Sequence, residues 1–136
     1  MSDHVRDAMV PEPLALQASG SAQEAGEALA RPEVRAVFVC DDGRLVGVVT
    51  RKTLVREVVA LGRDPQTTQL GAIAEPPNAT LDAGQSLAEA FAFMEDKDYE
   101  RVPVIEDGRL VGVLSRAGVQ RRLAEDEEVV SDSDAV

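Results

Sequence analysis

The chain has 136 residues, of which 44% are hydrophobic and 29% charged, the size and make-up of one compact domain. Its net charge of −11 argues against a DNA- or membrane-surface role, which needs a basic face, and an aromatic content of 3% without tryptophan leaves no platform for stacking single-stranded nucleic acid. A single cysteine, Cys40, leaves no intrachain disulfide. No run approaches the ~20 apolar residues of a membrane span, and MSDHVRDAMV contains no signal-peptide core, so a cytoplasmic protein is expected.

The core has to be built from Val, Leu and Ala. In chain order, Ser21-Ala-Gln-Glu24 is a capping box that opens a helix carrying Gly26 and ended by Pro32. A β run, Ala36–Cys40, leads to Asp42-Gly43, a strong hairpin signal, and a return strand, Leu45–Thr50. Thr50 then opens a helix over Arg51–Leu61, and Gly62–Gly71, with the turn dipeptide Asp64-Pro65, forms a linker. The same series follows again. Ser86-Leu-Ala-Glu89 opens a helix with Leu87, Ala90, Phe91 and Met94 on one face. Arg101–Ile105, Asp107-Gly108 and Leu110–Ser115 make a second hairpin, and Arg116–Ala124 the last helix.

The recurrence is a true repeat at an offset of 65, without gaps. Residues 37–58 match 102–123 at 11 of 22 positions, and further identities such as Ser21/Ser86 and Glu24/Glu89 fall on cap residues. The predicted organisation is a first repeat over 1–61, a linker over 62–71, a second repeat over 72–124 and an acidic, disordered tail over 125–136. The predicted fold class is α/β (α+β), each repeat a small three-stranded sheet with two helices. A unit so small cannot cover both faces of its own sheet, so the copies are expected to pack sheet to sheet as one pseudo-symmetric domain.

Thr50 with Arg51 and Lys52, and Ser115 with Arg116, are the most chemical features. A helix N-terminus beside a cation can seat a phosphate; equally, Thr and Ser are ordinary N-caps beside solvated arginines. Arg121 and Arg122 suit the negative end of a helix dipole. His4 has no second ligand near it in sequence, and Cys40 fits a buried strand end, so no metal site is expected. The acid pairs Asp41/Asp42, Asp96/Asp98 and Glu106/Asp107 fall in turns and helix ends, where carboxylates are solvated. No catalytic triad, P-loop or dinucleotide fingerprint occurs, and an enzyme is not expected.

The segments Val5-Arg-Asp-Ala-Met9, Arg101-Val-Pro-Val104 and Gly112-Val-Leu-Ser115, in this order of elements, resemble the hallmarks of CBS domains over about residues 3–124. The chain is similar to a tandem CBS pair, or Bateman module. Gly62-Arg-Asp-Pro65 between the copies is similar to stand-alone actinobacterial two-CBS proteins of the hypoxic-response type. The resemblance implies a non-enzymatic regulatory module that binds AMP, ADP, ATP or S-adenosylmethionine and assembles as a flat homodimer. It nominates Thr50, Arg51, Lys52 and Thr53 in the first copy as ligand-binding residues, and Val102, Pro103, Ser115, Arg116 and Gly118 in the second. The family pattern Gly-x-x-Thr/Ser-x-x-Asp ends on an aspartate that holds the ribose hydroxyls. Here Thr53 and Gly118 stand in its place, and Phe38 stands opposite Pro103, so binding is expected to be weak. The alternative is a ligand-free dimerisation or interaction scaffold serving an unidentified protein partner.

Overall fold

The computed structural model describes residues 3–11 and 13–135, with side chains through Glu125. The mixed α/β chain forms two compact units, and neither is one continuous stretch. The first comprises Pro13–Asn78 and Asp107–Leu110; the second takes the N-terminal segment, Ala79–Glu106 and the chain from Val111 onward.

In the first unit β2 (Ala15–Gln17) lies parallel to β3 (Val37–Asp41), with Leu16 opposite Val39. Strand β3 turns back into β4 (Arg44–Val49), with Val37 opposite Val49. The turn between them needs positive φ at two successive residues, and Asp42 (52°) and Gly43 (86°) adopt it. Helix α2 (Ala22–Leu29) begins where the Ser21 hydroxyl accepts the Glu24 amide at 3.2 Å. Its buried side, Ala22, Ala25, Ala28 and Leu29, packs with Val37, Val39 and Val49. Helix α3 (Arg51–Leu54) continues as a π-helical turn, Val55–Val59, in which the Ala60 amide reaches back to the Val55 carbonyl at 2.8 Å. The core is closed by α4 (Leu70–Ile73), whose Leu70 and Ile73 are buried. This helix begins within the stretch anticipated as linker: Leu70 and Ile73 are both apolar at helical spacing, but four residues are too few for periodicity to declare.

The second unit repeats the plan. Strand β5 (Leu81–Asp82) runs parallel to β6 (Arg101–Glu106), which turns through Asp107-Gly108 into β7 (Arg109–Ser115). Helix α5 (Leu87–Lys97) is capped by the Ser86 hydroxyl on the Glu89 amide at 3.4 Å, and buries Leu87, Ala90 and Met94. Helix α6 is Arg116–Ala135. The tail expectation over 125–136 falls, apart from Glu125, outside the described side chains. Helix α1 (Val5–Ala8) and β1 (Val10–Pro11) complete this unit: Val5 is fully buried among Leu81, Leu87 and Leu114, and Val10 pairs with Val113.

The two N-terminal helices are thus exchanged. Helix α1 precedes the first repeat in sequence yet fills the second unit, and α4 precedes the second repeat yet fills the first. Polar bonds fasten both. Arg122 Nε donates to Asp3 Oδ2 at 3.0 Å and its Nη1 to the Asp7 carbonyl at 3.1 Å, while Arg56 pairs with Glu75 just after α4. Arg122 therefore serves α1 rather than a helix end, since α6 runs on to Ala135.

Glycine makes the exchange sterically possible. After α4, the Val48 amide donates to the Glu75 carbonyl at 2.8 Å and the Glu75 amide to the Val48 carbonyl at 2.9 Å. A Cβ on Gly47 would stand 2.6 Å from the Glu75 oxygen. Gly112, at the matching position, faces Met9 and the Val10 carbonyl, which a Cβ would meet at 2.9 Å. Gly47→Ala is therefore expected to lower stability in urea unfolding by about 1–3 kcal/mol. Gly112→Ala is expected to lose less, because a movable Met9 side chain takes part of the clash; equal, negligible losses would contradict this origin of the two glycines.

Candidate functional site

Each long hairpin strand ends in a residue that caps the next helix, so the candidate ligand positions fall at two equivalent junctions. In the first unit Thr50 is the N-cap of α3. Its Oγ1 accepts the Thr53 amide at 3.3 Å, and the Thr53 Oγ1 accepts the Thr50 amide at 3.1 Å. The two hydroxyls also touch at 3.1 Å. This is a complete reciprocal cap, and Thr53 is only 1% exposed. The hydroxyl at the position that carries aspartate in the family pattern is turned into the helix end rather than out to a ligand.

Arg51 and Lys52 follow on the exposed side. The Arg51 guanidinium donates to the Arg31 carbonyl at 2.8 Å, which satisfies one donor, and it makes no ion pair among the described residues. Arg31 and Arg35, also exposed, precede β3. Around this junction four cations, Arg31, Arg35, Arg51 and Lys52, stand against one acid, Glu33.

The second unit builds the same cap with different charge. The Ser115 Oγ accepts the Gly118 amide at 3.0 Å, and no side chain exists at 118 to answer it. A Cβ there would lie 2.7 Å from the Ser115 Oγ, so any larger residue requires that hydroxyl to rotate. The Arg116 amide is fixed by the Glu100 carbonyl at 2.9 Å. Its guanidinium lies 3.0 Å from Asp98 Oδ1 and 3.9 Å from Glu100 Oε1. Asp98 reaches it from the left-handed C-cap of α5, at φ 57°. Here three acids, Asp96, Asp98 and Glu100, outnumber Lys97 and Arg116. Val102 is a core residue packed with Val104, and the adjacent Pro103 is buried.

The structure therefore gathers Thr50, Arg51, Lys52 and Thr53 at one junction and Ser115, Arg116 and Gly118 at the other. Of the partners that decide their charge, Arg31 and Glu100 are not singled out in the sequence, and Asp98 is read there only as a solvated acid of the pair Asp96/Asp98. The offset of 65 carries the signal, since it sets Asp96 opposite Arg31 and Glu100 opposite Arg35. Elsewhere, burial raises the pKa of the Cys40 thiol, which keeps it protonated. Among the described residues no group of three or more His, Cys, Asp or Glu could hold a metal ion, and no helix is long and apolar enough to cross a membrane.

Comparison with known proteins agrees with this architecture. Hypoxic response protein 1 of Mycobacterium tuberculosis is 37% identical over 94 residues, an alignment covering 68% of this chain and 66% of that protein, just under two-thirds of its length. A solved structure of Hypoxic Response Protein I with two coordinated zinc ions matches with a TM-score of 0.74 at 30% identity, covering 88% of this chain and 98% of the other. CBSX2 from Arabidopsis thaliana matches with a TM-score of 0.75 at 25% identity, over 94% and 99% of the two chains. A structure of CBSX2 in complex with AMP matches with a TM-score of 0.72 at 24% identity, over 91% and 98%. The CBS domain model itself matches twice, at residues 5–60 and 70–125, each match starting at one of the exchanged helices. The chain belongs to the CBS-domain family and carries two CBS domains in tandem.

Proposed function

We propose that this CBS pair is a cytoplasmic, non-catalytic regulator, active as a homodimer, that senses an adenosine-containing ligand through its phosphate, and that the first repeat carries the binding. The observation that supports this most is the absence of any ion pair on Arg51 and Lys52 among the described residues, beside Arg31 and Arg35, against the neutralised Arg116 of the second repeat. A phosphate arriving at Thr50 meets free cations; one arriving at Ser115 has to displace Asp98 and Glu100 from Arg116 first. The AMP complex of the relative CBSX2 supports the adenosine class. Phosphate recognition favours AMP, ADP or ATP over S-adenosylmethionine.

A second reading, a ligand-free dimerisation or interaction scaffold, is favoured by Thr53. Its hydroxyl is buried and spent on the helix cap, and Gly118 has no side chain, so neither of these two positions presents a ribose acceptor.

A thermal-shift panel of AMP, ADP, ATP and S-adenosylmethionine separates the two readings. The expected result is a shift of several degrees with the nucleotides near 100 times Kd, equivalent to about 2.7 kcal/mol, that shrinks as salt rises. Arg51→Ala is expected to remove it and Arg116→Ala to leave it nearly intact. The reverse pattern, or tight binding indifferent to salt, would overturn the assignment; no shift with any of the four would leave the scaffold reading in place.

Thr53 is open to a separate measurement. Thr53→Ala removes half of the reciprocal cap and is expected to cost about 1–2 kcal/mol in urea unfolding. Thr53→Asp keeps an acceptor for the Thr50 amide and adds a carboxylate, with an expected tenfold to hundredfold tightening of nucleotide binding, from about 1.5–3 kcal/mol per charged hydrogen bond. Unchanged affinity in a folded Thr53→Asp protein would show that the ribose does not come to this junction.

A further inference from the structure

The two repeats hold their junction arginines with different groups of the same loop. In the first, the loop offers a neutral one: the Arg31 carbonyl accepts the Arg51 guanidinium at 2.8 Å. In the second it offers carboxylates, Asp98 Oδ1 at 3.0 Å and Glu100 Oε1 at 3.9 Å from the Arg116 guanidinium. The Arg116 side chain is 22% exposed while Asp98 is 88% and Glu100 85% exposed, so the cation is largely covered and the acids lie at the surface. Backbone bonds fix both acids. The Asp98 amide donates to the Glu95 carbonyl at 3.2 Å and the Tyr99 amide to the Met94 carbonyl at 2.9 Å, which ends α5 in a left-handed turn. The Tyr99 ring meets Phe93 edge-on at 5.8 Å, and both pack against the core. The Glu100 carbonyl in turn accepts the Arg116 amide at 2.9 Å. The first repeat cannot copy this turn, because Pro32 stands at the position of Lys97 and α2 stops at Leu29. Its Glu33, opposite Asp98, makes no ion pair among the described residues.

We infer that Asp98 and Glu100 determine how many ligands one chain takes. Their carboxylates occupy the donors of Arg116 that a phosphate would need, and so confine binding to one nucleotide per chain, in the first repeat. The inference rests on the phosphate reading proposed above and adds the residues that set its stoichiometry. Carboxylate and phosphate oxygens compete for the same planar fork of N–H groups on a guanidinium. A neutral carbonyl instead orients Arg51 through one donor and leaves its positive charge to attract an incoming anion. The remaining parts of the two junctions do not separate them. Ser115 Oγ accepts the Gly118 amide as Thr50 Oγ1 accepts the Thr53 amide, and Arg51 and Arg116 correspond at the offset of 65. The second junction is therefore a working copy held occupied from within.

Stoichiometry measured by calorimetry with ATP, on the full chain at low salt, tests this. Asp98→Asn with Glu100→Gln removes both charges and keeps both shapes, and asparagine accepts a left-handed C-cap. The unaltered chain is expected to bind one ATP and the double variant two, with an unchanged melting temperature. Asp98→Asn alone is expected to deliver most of the gain, because Asp98 lies 3.0 Å from the guanidinium and Glu100 3.9 Å. Adding Arg116→Ala to the double variant is expected to remove the new site, and adding Arg51→Ala to remove the original one. A folded double variant that still binds one ATP, or an unaltered chain that binds two, would overturn the inference and leave the phosphate reading standing. An unaltered chain that binds none would count against that reading, and the double variant then decides the inference alone. One ATP bound there, and lost with Arg116→Ala, sustains it; none overturns it.

Discussion

The close backbone approach at Gly47 and Gly112 is the constraint on which the rest of this fold depends. At each glycine a strand of one repeat admits the segment that leads out of the other repeat's N-terminal helix, Ala74–Glu75 in one case and Met9–Val10 in the other. A side chain there would push the segment away, and with it Leu70 and Ile73 from one core or Val5 from the other. The buried residues of each core are mainly Val, Leu and Ala. A missing helix would therefore leave a hole that repacking cannot fill. The glycine of the family's Gly-x-x-Thr/Ser pattern thus has a structural duty independent of any ligand.

Three residues beyond each glycine, the same backbone serves two different chemistries. Thr50 and Ser115 cap in the same way, by accepting the amide three residues on. What differs is the loop that faces them. In the first repeat the loop carries Arg31 and Arg35, in the second Asp98 and Glu100. Two junctions with one geometry and opposite local charge cannot bind the same anion equally, because the Coulomb term changes sign while the hydrogen-bond donors stay the same. The duplication preserved the frame, and the loops diverged.

Much of the frame was legible because its determinants are local. Asp-Gly between apolar runs dictates the two hairpins, Ser21 and Ser86 mark their helices, and Leu87, Ala90 and Met94 declare a buried face. The exchange of helices was not legible. Val5 and Leu70 find their cores through contacts distant in sequence, and a helix of four residues shows no periodicity to reveal which core it will join. The site was half legible. Arg51 and Arg116 look alike in sequence, and their difference lies in partners some 18 to 20 residues earlier, Asp98 and Arg31. Thr53 looked like a hydroxyl available to a ligand, and the reciprocal cap with Thr50 became visible only once both side chains had positions.

The exchanged helices also bear on how such a chain can change over generations. A substitution among the first nine residues is felt in the core of the distal repeat, and one near Leu70 in the core of the proximal repeat. The two halves therefore cannot drift as independent modules, despite their shared ancestry. A half cut free from its sibling would lack one helix and carry another with nowhere to dock, and it could be made whole only by trading helices with a second molecule. Joining two copies in one gene turns that trade between molecules into a permanent feature of a single polypeptide.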